Sequence, residues 1–153
     1  MTKILFAGSR EIDLSSPLCM GVLNVTPDSF SDGASLGRDP VPNARQEAFE
    51  VDLDKVLHRA EEMVVQGAAF LDIGGESTRP GATPVPVQEE IDRVVPVVAA
   101  LKARFDICLS VDTSSPDVMT AAIDAGAELV NDVRALADAR ALSTIVDNRV
   151  AVC

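Results

Sequence analysis

The chain has 153 residues, 47% of them hydrophobic but only 3% aromatic, with no Trp or Tyr, and a formal net charge of −11. Nucleic-acid proteins draw most of their affinity from clustered Lys and Arg. No such cluster is present, so nucleic acid and anionic membrane are poor partners. A chain of this size buries roughly 70% of its unfolded surface, enough for one compact core.

From Ile4 to Leu14 the chain reads as two short strands around Gly8-Ser9, a hairpin. The run Ile4 to Gly8 is too short for a signal sequence or a membrane span, which makes the cytoplasm the expected compartment. An apolar run follows from Met20 to Val25. Residues 31 to 51, rich in Gly, Pro, Ser and Asp, read as a long loop, and loops of that length are usually functional. Leu53, Val56, Leu57, Ala60, Met63 and Val64 recur at helical spacing, with Asp52 as N-cap and Gly67 as stop.

Ala68 to Ile73 is a buried strand. After Pro84-Val85-Pro86 a helix is expected with Val87, Ile91, Val94, Val95, Val98 and Leu101 on its buried stripe, kinked at Pro96. Ile107 to Val111 is the next strand, and Ser115-Pro116 supplies an N-cap and N1 pair for a helix ending at Gly126. Glu128 to Val130, Asp138 to Asp147 and Val150 to Cys153 complete the series as strand, helix and strand.

Strand and helix alternate, which predicts a parallel sheet covered by helices. The first strand–helix turn lacks a Gly-x-Gly-x-x-Gly fingerprint, which favours the barrel over the dinucleotide-binding form of that sheet. A (β/α)₈ TIM barrel needs about 250 residues. The expectation is therefore an α/β chain supplying roughly the first half of one: the hairpin and the first five barrel strands, stopping within the fifth.

Four strands change from apolar to polar at their carboxyl ends, through Asn24, Asp72, Asp112 and Asn131-Asp132. That end of a barrel is the catalytic face. Asp and Asn also start ordinary loops, so each alone is more often structural; the four together suit a ring edge of alternating donors and acceptors, such as an aminopyrimidinone. Gly74 to Gly81 offers backbone access and the planar fork of Arg79, or is a plain loop with an exposed Arg. Asn24 to Gly33 includes Phe30, which either closes over a flat ring or anchors its loop. His58 sits on the polar side of its helix and reads as a solvated residue. Cys19, Cys108 and Cys153 lack metal-type spacing and read as small buried hydrophobes in a reducing compartment.

At these segments the sequence resembles the dihydropteroate synthase family of pterin-binding barrels. Asn24 to Gly33, Asp72 to Gly81, Ser110 to Ser114 and Asn131-Asp132-Val133 match it in order and spacing, apart from an insertion between Ala34 and Val51. The resemblance runs from about Ile4 to Cys153, a partial barrel domain over 1–153. It implies a transferase of folate biosynthesis, the sulfonamide target, in which 4-aminobenzoate displaces pyrophosphate from 6-hydroxymethyl-7,8-dihydropterin pyrophosphate with Mg²⁺ assisting. By resemblance Asp112 and Asn131 hold the pterin edge, with Asp72 and Thr78 beside it. Asn24 contacts Mg²⁺ and the pyrophosphate. Phe30, Asp32, Arg79 and Pro80 belong to two loops forming the aminobenzoate pocket, and Asp32 and Arg79 carry catalysis. The full-length family is commonly homodimeric.

The Asp-Pro-Gly, Ser-Arg-Lys and Arg-x-His segments of the family's second half do not occur in these residues. A methyltetrahydrofolate:corrinoid methyltransferase shares the strand ends but would not carry the Phe30–Asp32 loop together with Thr78-Arg79-Pro80; a non-catalytic truncated remnant is the other alternative. Purified 1–153 is expected to give no synthase turnover, and clear turnover would overturn that expectation.

Overall fold

The computed structural model describes residues 3–26, 36, 50–77 and 84–153. Strands β1 (Ile4–Ala7) and β2 (Arg10–Asp13) pair antiparallel, from Ile4 opposite Asp13 to Ala7 opposite Arg10. The two-residue connection puts Gly8 at φ +58, the left-handed conformation that a tight hairpin asks of its first loop residue. Strands β3 (Cys19–Asn24), β4 (Ala68–Gly74), β5 (Cys108–Asp112), β6 (Leu129–Asn131) and β7 (Ala151–Val152) form one parallel sheet in sequential order. Helices α1 (Leu53–Val65), α2 (Val87–Arg104), α3 (Pro116–Ala125) and α4 (Ala139–Asn148) connect the last four pairings.

Side-chain alternation divides this sheet into two faces. Leu23, Leu71, Ile73, Leu109, Val111 and Val130 point toward the helices and join Val56, Val98, Met119 and Ile145 in the main core. The other face starts with Phe70, Cys108, Leu129 and Ala151, on which Ala7, Leu5 and Ile12 of the hairpin pack. The hairpin thus closes the amino-terminal end of the sheet. Arg10 pins it there, its Nε 2.8 Å from Glu128 and its Nη2 2.6 Å from Asp106. Helices on one face only, with no reversal of strand order, is barrel winding; a doubly wound sheet has a switch point and helices on both faces.

Local chemistry explains most boundaries. The Asp52 carboxylate accepts from the amides of Asp54 and Lys55 at 3.1 and 3.2 Å and starts α1. Asp138 caps α4 through the Arg140 amide, and Gly126 at φ +119 ends α3. Three expectations are corrected. Ser115 occupies the N-cap position of α3, but its side chain makes no capping bond; its carbonyl accepts from Met119 instead. Helix α2 buries Glu90, Arg93, Val94, Val97, Val98 and Leu101, leaving Val87 exposed and Val95 half-buried. The apolar residues alone had pointed to a stripe rotated from this one, because two charged residues belong to the buried face. Cys19 and Cys153 are exposed at strand termini, and only Cys108 is buried, where loss of solvent pushes its thiol up to about 11.

Pro96 lies on the exposed side of α2, which continues through it. His58 is 76% exposed in its side chain, 3.6 Å from Glu62. The predicted 31–51 loop and the 34–51 insertion lie outside the described residues, save Leu36, Glu50 and Val51; Leu36 is buried in the main core and its carbonyl accepts from the Asp52 amide. No helix of the described residues is long and apolar enough to cross a membrane.

Leu71 is fully buried in the main core, whereas Val65 is 81% exposed. Leu71→Ala is expected to cost about 2–5 kcal/mol, and Val65→Ser less than about 0.5, in urea unfolding. Equal effects would contradict the burial of Leu71 in the core between sheet and helices.

Candidate functional site

The strand register places the predicted residues. Asn24 lies opposite Gly74, Gly74 opposite Asp112, and Asp112 opposite Asn131, so four strand ends form one row. One pleat deeper, Val22, Asp72, Ser110 and Leu129 form a second row on the same face. The structure therefore brings Asn24, Asp72, Asp112 and Asn131 to a common hollow at the carboxyl ends of the strands. Phe70, Cys108, Leu129 and Ala151 floor it. Gly74 keeps the upper row open: a Cβ there would stand 3.3 Å from Asn24 Oδ1 and 3.8 Å from Asp112 Oδ2.

Within the hollow, Asn131 Nδ2 donates to Asp72 Oδ2 at 2.9 Å. That bond turns the Asn131 carboxamide so that its oxygen remains as an acceptor. Asp72 Oδ1 and Ser110 Oγ are buried and have no hydrogen-bond partner in the structure. Buried polar atoms are ordinarily satisfied, and each orphan costs about 1–3 kcal/mol, so two together mark a place built for polar company.

Burial, then the neighbouring carboxylates of Asp72, Asp132 and Glu76, raise the Asp112 carboxyl from an ordinary 3.8 to about 6. Asn24 is exposed, while Asp112 and Asn131 are half-buried. The row thus combines one carboxylate of unusually high proton affinity with two carboxamides. This set can accept from, and donate to, the edge of a nitrogen heterocycle in a hydrogen-bonded, discriminating way.

Asp132, grouped with Asn131 by sequence, does a different job. Its carboxylate accepts from Ser114 Oγ and from the amides of Arg134 and Leu136, at 2.9 and 2.7 Å for the amides. Burial works to raise this carboxyl, but those bonds and the Arg134 charge together hold it below the ordinary value. Its oxygens fasten a turn in which Ala135 and Leu136 take positive φ, +53 and +55. Asp132 is a loop anchor.

Phe30, Asp32, Thr78, Arg79 and Pro80 lie outside the described residues. Sequence reasoning missed Ser110 in the deeper row and, beyond it, the buried polar residues Thr113, Glu90 and Arg93. The available signal was a charged pair three apart, Glu90 and Arg93, continuing the helical line of Val97 and Leu101. A cavity of about 610 Å³ is found elsewhere, on the helical side, between Val51, Leu53, Asp92 and Pro96. Its rim is acidic, but Asp52 there is spent on capping α1.

A barrel-type parallel sheet with polar groups gathered at its carboxyl end defines a class, and comparison with known proteins agrees with it. The sequence model of the family described as pterin binding enzyme matches residues 20–153, and the chain belongs to that family. Within it, the chain is similar to dihydropteroate synthases. It is 46% identical over 149 residues to the one from Haemophilus influenzae, covering 97% of this chain and 49% of that protein. The solved Yersinia pestis dihydropteroate synthase with a sulfonamide drug is 49% identical with a TM-score of 0.83, over 99% of this chain and 50% of that one. The Burkholderia cenocepacia enzyme complexed with 7,8-dihydropteroate is 40% identical with a TM-score of 0.77, over 98% and 45%. The α/β barrel fold read from the sequence is thereby shown, and the chain spans about half the length of the curated relatives it matches.

The Asp112 proton has a measurable consequence for stability. Because the folded carboxyl titrates near 6 rather than 3.8, the native state binds this proton more tightly than the unfolded chain does. Ionisation therefore costs native stability as pH rises from about 4 to about 6, and the cost is complete above that window. Asp112→Asn removes it. The variant should gain on its parent between about pH 4 and pH 7 in urea unfolding, whereas a difference independent of pH would contradict the raised carboxyl.

Proposed function

We propose that this chain supplies the pterin-holding half of a dihydropteroate synthase, joining 6-hydroxymethyl-7,8-dihydropterin pyrophosphate to 4-aminobenzoate in folate biosynthesis. The observation that carries this reading is the row of Asn24, Asp112 and Asn131 in register, with Asp72 bonded to Asn131 beneath it. An aminopyrimidinone ring presents adjacent N–H donors and a ring acceptor along one edge. Asp112 would accept the donors, the Asn131 carboxamide would pair the neighbouring groups, and Asp72 would fix that carboxamide. The similarity to synthases favours this over a corrinoid methyltransferase.

In the reaction, the amino nitrogen of 4-aminobenzoate forms a bond to the pterin methylene carbon as the carbon–oxygen bond to pyrophosphate breaks. The nitrogen then loses a proton. Positive charge develops on the methylene, and the carboxylates at the strand ends, with Asp32, would stabilise it. No protein nucleophile is needed, so orientation and electrostatics supply the acceleration. Phe30, Asp32, Arg79 and Pro80 would form the aminobenzoate side, the place a sulfonamide would compete for, with Thr78 beside the pterin.

Mg²⁺ would find one suitable ligand among the strand-end residues. Among the described residues no group of three or more His, Cys, Asp or Glu could hold a metal ion. Asn24, however, offers a hard carboxamide oxygen in the open space above Gly74. Mg²⁺ commonly takes one or two protein ligands and completes its shell with phosphates and water. Asn24 would be that ligand, and the ion would neutralise the departing pyrophosphate. A cytoplasmic homodimer of the whole enzyme, with neither nucleic acid nor membrane as partner, completes the proposal.

Calorimetric titration of the chain with 6-hydroxymethylpterin tests it. Binding is expected, weakened at least about tenfold by Asp112→Ala and falling as pH drops through about 6, where protonation turns one of the two accepting oxygens into a donor. No heat with the parent chain, or equal binding by the variant, would contradict the assignment.

A further inference from the structure

Behind the strand ends, α2 carries two buried charged residues, Glu90 at 3% exposure and Arg93 at 6%. Arg93 reaches the backbone that follows β4, and Glu90 packs against the same segment. The Glu90 carboxylate lies beside the Thr113 hydroxyl, one residue past Asp112, and that hydroxyl accepts from the Ser115 amide at 3.2 Å. The Thr113 amide donates to the Asn131 carbonyl at 3.1 Å. Thr113 therefore ties together α2, the end of β5 and the end of β6. Arg93 Nη1 donates to the Gly75 carbonyl at 3.0 Å, and its Nη2 pairs with Glu89. The helix presses directly on that segment: a Cβ on Gly75 would come within 2.7 Å of Val94 Cγ2 and 3.0 Å of Glu90 Cγ.

We propose that Glu90 is a positioning residue which, through Thr113, holds the Asp112 tip of β5 in register with Asn131 for the ring edge, while Arg93 fixes the segment after β4. The inference rests on the pterin reading of the site. Energetics support it. Glu90 Oε1 is buried with no hydrogen-bond partner in the structure, and burial is the largest influence on its carboxyl, raising it against the influence of the nearby Thr113 hydroxyl. A buried ionisable group of this kind is weak evidence for stability, since an apolar residue of similar volume is often neutral or better. What Leu could not supply is the oxygen that orients the Thr113 hydroxyl.

The test uses Thr113→Val, Thr113→Ser, Glu90→Leu and Glu90→Gln in the 153-residue chain, with calorimetric binding of 6-hydroxymethylpterin and melting temperature as the two readouts. Thr113→Val and Glu90→Leu are expected to weaken binding at least about tenfold, the scale of one orienting hydrogen bond, with melting temperatures held or, for Glu90→Leu, raised. Thr113→Ser and Glu90→Gln, which keep a hydroxyl and an acceptor oxygen, should stay within about threefold of the parent. Parent-like binding by Thr113→Val and Glu90→Leu would overturn the positioning role and leave the pterin reading standing. Binding lost only in step with a collapsed melting temperature in both would also overturn it, by showing a purely structural role. A parent chain that binds no pterin would remove both claims.

Discussion

Parallel pairing with fixed register is the constraint from which the site follows. Side chains in a strand alternate with a period of two, so a slip of one residue in any strand would exchange its polar tip for a core residue. The register that sends Ile73, Val111 and Val130 into the helical core is the same one that lines up Gly74, Asp112 and Asn131 on the hollow side. Burial of the apolar set therefore specifies the polar set. The hydrophobic demand on the opposite face brings the four strand ends together, and the contacts of α2 near Gly75 act on top of it.

The polar set is placed at some electrostatic expense. Burial, and after it the nearby carboxylates of Asp72, Asp132 and Glu76, keep the Asp112 proton on until about pH 6, in a chain of net charge −11. Cationic or N–H-rich ligands relieve such a site, and the orphaned Asp72 Oδ1 and Ser110 Oγ indicate the same unmet demand. Asp132, only one residue beyond Asn131, shows the contrast. Three internal donors satisfy it and bring its carboxyl down. Occupied and unoccupied hydrogen-bonding capacity, more than residue type, separates a loop anchor from a recognition group.

Much of this was legible in the sequence because two periodicities were clean. Strands such as Ala68–Gly74 are continuous apolar runs that turn polar at one end, and α1 is bracketed by Asp52 and Gly67. What periodicity could not supply was the face of α2. Glu90 and Arg93 look like solvent residues by type, and only the packing of α2 over Gly75 shows that their chemistry is turned inward. The cysteines misled for a related reason: Cys19 and Cys153 lie in apolar contexts, yet strand termini expose them. Asp132 was indistinguishable from Asn131 until its hydrogen bonds were seen.

The central claim is that one hollow, walled by Asn24, Asp72, Asp112 and Asn131, receives the edge of a pterin ring. The most direct measurement is a nuclear magnetic resonance titration of the isotopically labelled chain with 6-hydroxymethylpterin, following side-chain carboxyl and carboxamide signals. The Asp112 and Asp72 carboxyl carbons and the Asn131 amide group should move together along one saturating curve, while Asp132 and the acidic rim near Asp92 stay still. Movement at the helical-side rim with a silent Asp112 would contradict the account.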